Sequence, residues 1–155
     1  MAYTVKGLDP APYRQLFSLS DEELAQRGVV RMFVTEKSGF PCRVSLTDRE
    51  IGERVLLINH ISHDVSNPYR ASHAIFIAEE AKAAAEFIDR VPPVFARRIL
   101  SLRGFEKDGM MADAVLSAPG EAEQGILHLF ANPAIHMIHA HNAVRGCFSA
   151  RIERN

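Results

Sequence analysis

Short apolar runs separated by polar loops predict that much of this chain folds into β-strands. The runs over Val29–Val34, Arg54–Ile61 and His73–Ile77 are partly β-branched and shorter than typical helices. Another short strand is expected near Tyr3–Leu8. Because strands here mostly follow strands, the pattern favours a mainly antiparallel sheet.

Two hairpins are predicted in the second half of the chain. Apolar and polar positions alternate over Leu100–Phe105, and Met110–Leu116 returns after a turn that ends with Gly109. Further on, Ala134–His141 and Cys147–Glu153 flank a loop of hairpin length. We expect these last two segments to pair as antiparallel strands.

Two helix starts are predicted near the N-terminus. Asp9 can cap free N–H groups, and Pro10 suits the first helical position, where no N–H partner is needed. Ser20 and Glu23 form a capping-box pattern, in which each side chain accepts from the other residue's backbone N–H. Gly28 is expected to end that second helix, since glycine readily adopts the left-handed conformation.

Two further helices are predicted later in the chain. Ala78–Ile88 contains good helix formers throughout, and Pro92 and Pro93 prevent its continuation. Glu121–Phe130 has a helical pattern and stops before Pro133. Strands with helices inserted in about three places predict an α+β fold. The sequence has no glycine-rich turn between a strand and a helix, so it carries no signature of a nucleotide-binding site.

Length, composition and charge predict one compact α+β domain over residues 1–155, with a normal apolar fraction of 47%. The net charge is −1, and no block of like charge suggests a nucleic acid or anionic membrane partner. No apolar run is long enough to span a membrane, and the N-terminus lacks a signal-peptide core. Two cysteines are too few for a disulfide framework, so we expect a soluble cytoplasmic protein with reduced thiols.

A His-x-His pattern is the first candidate for chemistry. On a strand, His139 and His141 point to the same face and could hold a divalent metal. A third ligand would have to come from residues such as His60, His63 or His73, or from Asp64. The favoured alternative is two hydrogen-bonded histidines within a sheet, and we predict no metal and no other cofactor.

A thiol with a nearby imidazole is the second candidate. Cys147 follows the loop after His141, and a nearby imidazolium would activate a thiol as a nucleophile. A four-residue loop would place Cys147 opposite Asn142, and a five-residue loop would place it opposite His141. Cys42 is the rival thiol, and the alternative for both cysteines is a buried apolar role.

Arginines in the same loops form the third candidate. Arg43, Arg70 and Arg145 could each bind a carboxylate or phosphate with two parallel hydrogen bonds, or could be ordinary surface residues. Tyr69 and Asn142 could orient such a ligand, or could be turn or packing residues. These residues predict a substrate-binding role for Arg43, Arg70, Tyr69 and Asn142, with a small anion as the partner.

Three segments resemble a bacterial family known as domain of unknown function 1203. They are Gly39–Arg43, the Pro68-Tyr69 pair with Ser72–Phe76, and His141–Ala143 with Gly146-Cys147. The resemblance runs from about Phe33 to the C-terminus. It implies a small bacterial single-domain protein and carries no assigned activity, cofactor or catalytic residue.

Three classes of function follow from these candidates. The first is an enzyme whose catalytic residues come from His73, His141, Cys147 and Cys42. The second is a binding module that uses the same pocket without turnover, and the third is an interaction domain with no small-molecule site. The sharpest hypothesis is that His73, His141 and Arg43 converge on one pocket, with Tyr69 or Asn142 at its edge, because strand ends and adjacent turns often meet at one rim. The alternative is three unrelated polar residues, each satisfied locally. No oligomeric state follows from the sequence.

Overall fold

A computed structural model describes residues 2–155. Its two α-helices are α1 (Asp21–Gln26) and α2 (Ala122–Phe130), and 3₁₀ helices cover Ala11–Ser18 and Pro93–Phe95. No helix in this described part of the chain is both long enough and apolar enough to cross a membrane. The strands within residues 2–155 are β1 Tyr3–Lys6, β2 Val30–Phe33, β3 Arg54–His63, β4 Ala71–Ala78, β5 Glu86–Ile88, β6 Leu100–Phe105, β7 Met111–Ser117, β8 Met137–Asn142 and β9 Phe148–Arg154.

The strands form two antiparallel sheets. The large sheet has six strands in the order β5-β1-β9-β8-β6-β7, and the small sheet has the order β2-β3-β4. Every pairing between named strands is antiparallel. The predicted α+β class with a mainly antiparallel architecture is therefore confirmed.

Local signals near the N-terminus act as predicted. The side chain of Asp9 accepts the Ala11 N–H at 2.9 Å, at the start of the first 3₁₀ helix. The Ser20 hydroxyl accepts the Glu23 N–H at 3.2 Å, and the Glu23 carboxylate accepts the Ser20 N–H at 2.8 Å. After α1, Gly28 has φ +69°, the left-handed conformation that glycine accepts most easily.

The two sheets build two hydrophobic cores. α2 covers one face of the large sheet, where Ile126, Leu129 and Phe130 join Leu102 and Ile138. These side chains are almost completely buried, and each contributes roughly 1.5–3 kcal/mol of transfer free energy. A second core lies against the small sheet and is formed by buried residues from α1, β3, β4 and the loop before β3: Leu24, Val44, Val55, Leu56, Ile75 and Ile77. α2 thereby leaves the other face of the large sheet free to meet the small sheet.

The helix predicted over Ala78–Ile88 is wrong. β4 continues through Ala78, and the segment then turns and ends as the edge strand β5. Ala85 donates to the Val44 carbonyl at 2.9 Å and accepts the Gly7 N–H at 2.8 Å. Helix propensities differ by at most about 0.7 kcal/mol among ordinary residues, so long-range pairing with β1 overrides them.

Both predicted hairpins are confirmed. The β6–β7 turn closes with the Glu106 N–H donating to the Met110 carbonyl at 2.8 Å. In the β8–β9 hairpin, Asn142 donates its N–H to the Cys147 carbonyl at 2.9 Å, and Gly146 donates to the Asn142 carbonyl at 2.7 Å. The loop is therefore the four-residue alternative, and Cys147 lies opposite Asn142.

Candidate functional site

Cys147 is the centre of the candidate site. It ends the β8–β9 loop and is partly exposed to solvent. Its Sγ accepts a hydrogen bond from Arg43 Nη2 at 3.1 Å and another from Asn142 Nδ2 at 3.4 Å. A reactive thiol needs both access and a neighbouring positive charge, and Cys147 has both.

Arg43 is a buried cation that reaches Cys147 from the loop before β3. Only 2% of its surface is exposed. Its Nε donates to the Phe148 carbonyl at 2.8 Å, and its Nη1 donates to the Pro41 carbonyl at 2.5 Å. No carboxylate in residues 2–155 forms an ion pair with it. Burial lowers the pKa of Arg43, while a negative charge on Cys147 acts in the opposite direction.

His73 and His141 lie beside each other across the two sheets. Their ring centroids are 4.8 Å apart with the ring planes nearly perpendicular. This is well within the distance that lets one small ligand contact both rings, as the convergence hypothesis requires. His141 Nδ1 lies 2.9 Å from the Gly146 carbonyl. A carbonyl can only accept, so Nδ1 carries the proton in the neutral ring and Nε2 has the free lone pair.

Both rings are neutral at pH 7. Burial lowers the pKa of His141 to about 4, although the hydrogen bond to Gly146 favours the charged form. Burial also lowers the pKa of His73, and Arg103 and Arg43 add to the effect. Neutral imidazoles can accept a proton or donate a hydrogen bond without bringing a charge to the site.

Three more histidines extend this face between the sheets. His60 is the cross-strand partner of His73, and its Nδ1 lies 3.2 Å from the Tyr13 hydroxyl. His63 Nε2 lies 2.8 Å from the Gly109 carbonyl oxygen, and the centroid of the His63 ring lies 5.1 Å from that of the His139 ring. His139 Nε2 is buried without a hydrogen-bond partner among residues 2–155, and burial lowers the pKa of this ring to about 3.

The histidines do not assemble into a recognisable metal centre. His139 and His141 share a face of β8 as the His-x-His pattern predicts, and both rings contact Phe148. Among residues 2–155, however, no group of three or more histidine, cysteine, aspartate or glutamate side chains is arranged to hold a metal ion. The His-x-His pair has nearby imidazoles but no set of converging ligands.

Arg103 is a site residue that the sequence analysis missed. It lies on β6 directly across from His139, and its charge depresses the pKa values of His73, His139 and His141. No carboxylate is among the charges that shift the pKa values of these rings or of His60. The side-chain charges that act on these rings are therefore positive. The only local signal for Arg103 was the alternation of apolar and polar positions along β6, which does not reveal the neighbouring strand.

Several predicted residues lie elsewhere. Cys42 is completely buried in the core of the small sheet, where its Sγ accepts the Ala78 N–H at 3.4 Å. Arg70 is exposed and forms an ion pair with Asp64. The Tyr69 ring packs edge-on against Phe105 at 6.2 Å.

Arg145 is exposed on the hairpin loop.

Six residues lie together in the structure and are called the Cys147 site below. They are Arg43, His73, Arg103, His141, Asn142 and Cys147.

One family model covers most of the chain. No curated protein and no solved structure matches this chain. The family is described as "Protein of unknown function (DUF1203)", and its model matches residues 39–154. That range contains all six residues of the Cys147 site and confirms the resemblance found in the sequence. The chain belongs to the DUF1203 family.

Proposed function

We propose that the protein binds a small anionic molecule at the Cys147 site, with Cys147 as a reactive thiol. The observation that carries this proposal is the buried guanidinium of Arg43, which has no carboxylate partner in residues 2–155 and donates to Cys147 Sγ at 3.1 Å. A buried charge without a counter-charge is costly. The missing negative charge is supplied by the thiolate of Cys147 or by a bound anion.

The hydrogen bonds at Cys147 support its role as the nucleophile. Both Arg43 and Asn142 donate to Sγ, and such hydrogen bonds strengthen when the acceptor is charged. The thiolate is the form of cysteine that attacks electrophiles. Cys42 does not share these contacts, so we assign no catalytic role to it.

The surroundings of the site support an anionic ligand. Arg103 adds a second positive charge that acts on His73 and His141, and no carboxylate in residues 2–155 is among the charges that shift the pKa values of these two rings. Neutral His141 presents the Nε2 lone pair and can accept a proton from a bound molecule.

Protection of Cys147 from alkylation tests the proposal. The neutral reagent iodoacetamide is applied at pH 7 with rising concentrations of small mono- and dicarboxylates or inorganic phosphate, and the modified peptide is identified by mass spectrometry. At least one anion should slow modification of Cys147 saturably, while the matching neutral amides should not. Arg103→Ala should weaken protection, and Arg145→Ala, an exposed arginine on the same loop, is the matched control.

The same experiment distinguishes the proposed function from the alternative, an interaction domain. An interaction domain without a small-molecule site would show no protection by any of the anions. Equal protection by anions and neutral amides would likewise contradict the proposal, because the Arg43 and Arg103 charges would then play no part in recognition.

A further inference from the structure

A cavity elsewhere in the molecule shares no residue with the Cys147 site. Its volume is about 230 Å³, and it opens between the first 3₁₀ helix and the end of β4. Phe17, Ile77, Ala78 and Ala81 provide apolar walls. Usual ligand pockets measure roughly 300–1,000 Å³, so this cavity suits a molecule smaller than a nucleotide.

Two cations stand at the rim of this cavity. Arg14 and Lys82 are exposed, and neither forms an ion pair with a carboxylate in residues 2–155. Each donates to a backbone carbonyl: Arg14 Nη2 to Lys82 at 3.2 Å, and Lys82 Nζ to Glu79 at 2.7 Å. These bonds hold both charged groups at the opening.

The acid in the lining does not cancel this charge. The Glu79 carboxylate is paired with Arg54 at 2.9 Å. Tyr13 also lines the cavity, and its hydroxyl is bonded to His60 Nδ1. Burial raises the pKa of Tyr13, so its phenol stays neutral at pH 7 and does not repel an anion.

We infer that this cavity binds a small carboxylic acid with a compact apolar body. The apolar body fills the space between Phe17, Ile77 and Ala81, and the carboxylate meets Arg14 and Lys82 at the opening. Guanidinium and ammonium groups both form charge-assisted hydrogen bonds with carboxylates, and the apolar walls remove the rest of the molecule from water.

Benzoate is the probe that tests this inference, with two partial mimics as controls. Benzyl alcohol has the same ring without the charge, and acetate has the charge without the ring. Chemical-shift titration of the ¹⁵N-labelled protein should show saturable benzoate shifts confined to residues 10–17 and 77–82. Benzyl alcohol and acetate should each bind about tenfold more weakly or worse, because benzyl alcohol lacks the charge-assisted contacts and acetate lacks the ring that the apolar walls bury.

Variants locate the two recognition elements. The double variant Arg14→Ala/Lys82→Ala should weaken benzoate about tenfold, to the level of benzyl alcohol. Ala81→Phe should block the cavity and abolish the shifts. Lys107→Ala removes an exposed lysine in the β6–β7 turn and should change nothing.

Three results would overturn the inference. They are shifts that do not saturate, benzoate binding no tighter than benzyl alcohol and acetate, and undiminished binding in the double variant. Saturable shifts at Cys147, His141 and Arg43 instead would also refute this cavity as the site, but would support the proposed function. The two proposals can therefore fail separately.

Discussion

Arg43 Nη2 and Cys147 Sγ lie 3.1 Å apart although 104 positions separate them in the chain. The backbone N–H of Arg43 bonds to the Phe76 carbonyl of β4 at 3.0 Å, while its Nε bonds to the Phe148 carbonyl of β9 at 2.8 Å. The residue therefore joins the small sheet to the hairpin that carries the thiol. One buried cation therefore contacts both the small sheet and the thiol of Cys147.

Replacing this cation should affect stability and reactivity together. Arg43→Gln leaves the Phe148 and Pro41 carbonyls without their donors, and each unsatisfied buried group costs about 1–3 kcal/mol. We expect urea unfolding to show a loss of about 3 kcal/mol. The alkylation rate of Cys147 at pH 7 should fall about tenfold. Arg145→Gln is the control, and a folded Arg43→Gln protein with an unchanged alkylation rate would contradict the assignment.

Asn142 offers a gentler test of the same thiol. Asn142→Asp keeps the shape of the side chain but replaces the Nδ2 donor, 3.4 Å from Sγ, with an oxygen that carries negative charge. Alkylation of Cys147 should slow because two negative charges would then face each other. Asn132→Asp, in an exposed turn, should leave the rate unchanged. Equal rates in the two variants would show that Asn142 does not contact the reacting sulfur.

The buried histidines predict that acid destabilises the protein. Burial lowers the pKa of His139 to about 3 and that of His141 to about 4, against 6.5 for the unfolded chain. Between pH 6.5 and 4 the unfolded state therefore takes up more protons than the folded state. The stabilisation is complete above pH 6.5 and is lost as the pH falls through this window.

Urea unfolding at pH 7 and at about pH 4.5 measures this dependence, with each unit of pKa difference worth about 1.4 kcal/mol. His139→Phe should show a smaller loss between the two pH values, because one of the depressed groups is removed. It should not lose stability at pH 7, since His139 Nε2 has no hydrogen-bond partner to lose in the described part of the chain. His128→Phe changes an exposed histidine of α2 and should keep the wild-type dependence. A steeper dependence in His139→Phe would contradict this account.

Local sequence signals predicted those elements whose geometry is set by neighbouring residues. The capping box of Ser20 and Glu23 and the turn ending in Gly109 both depend on contacts within a few positions. The false helix over Ala78–Ile88 has strong local propensity, but its end pairs with β1, more than eighty residues earlier in the sequence. Pairing across that separation leaves no local signal.

The same distinction holds at the site. His73, His141, Arg43 and Cys147 could be suggested because the sequence pattern places each at a predicted strand end or beside a predicted turn. Arg103 could not, because its position opposite His139 depends on the β6–β8 register and on the packing of one sheet against the other. Neither can be read from the alternation of β6 alone.

The comparison of two alkylating reagents tests the central claim most directly. Iodoacetate carries a negative charge and iodoacetamide does not, so the ratio of their rates at Cys147 measures attraction of an anion to the site. The reference ratio comes from a neutral cysteine amide in the same buffer. We predict a ratio several-fold above the reference, falling in Arg103→Ala and unchanged in Arg145→Ala. A ratio at or below the reference would contradict an anion-binding site at Cys147.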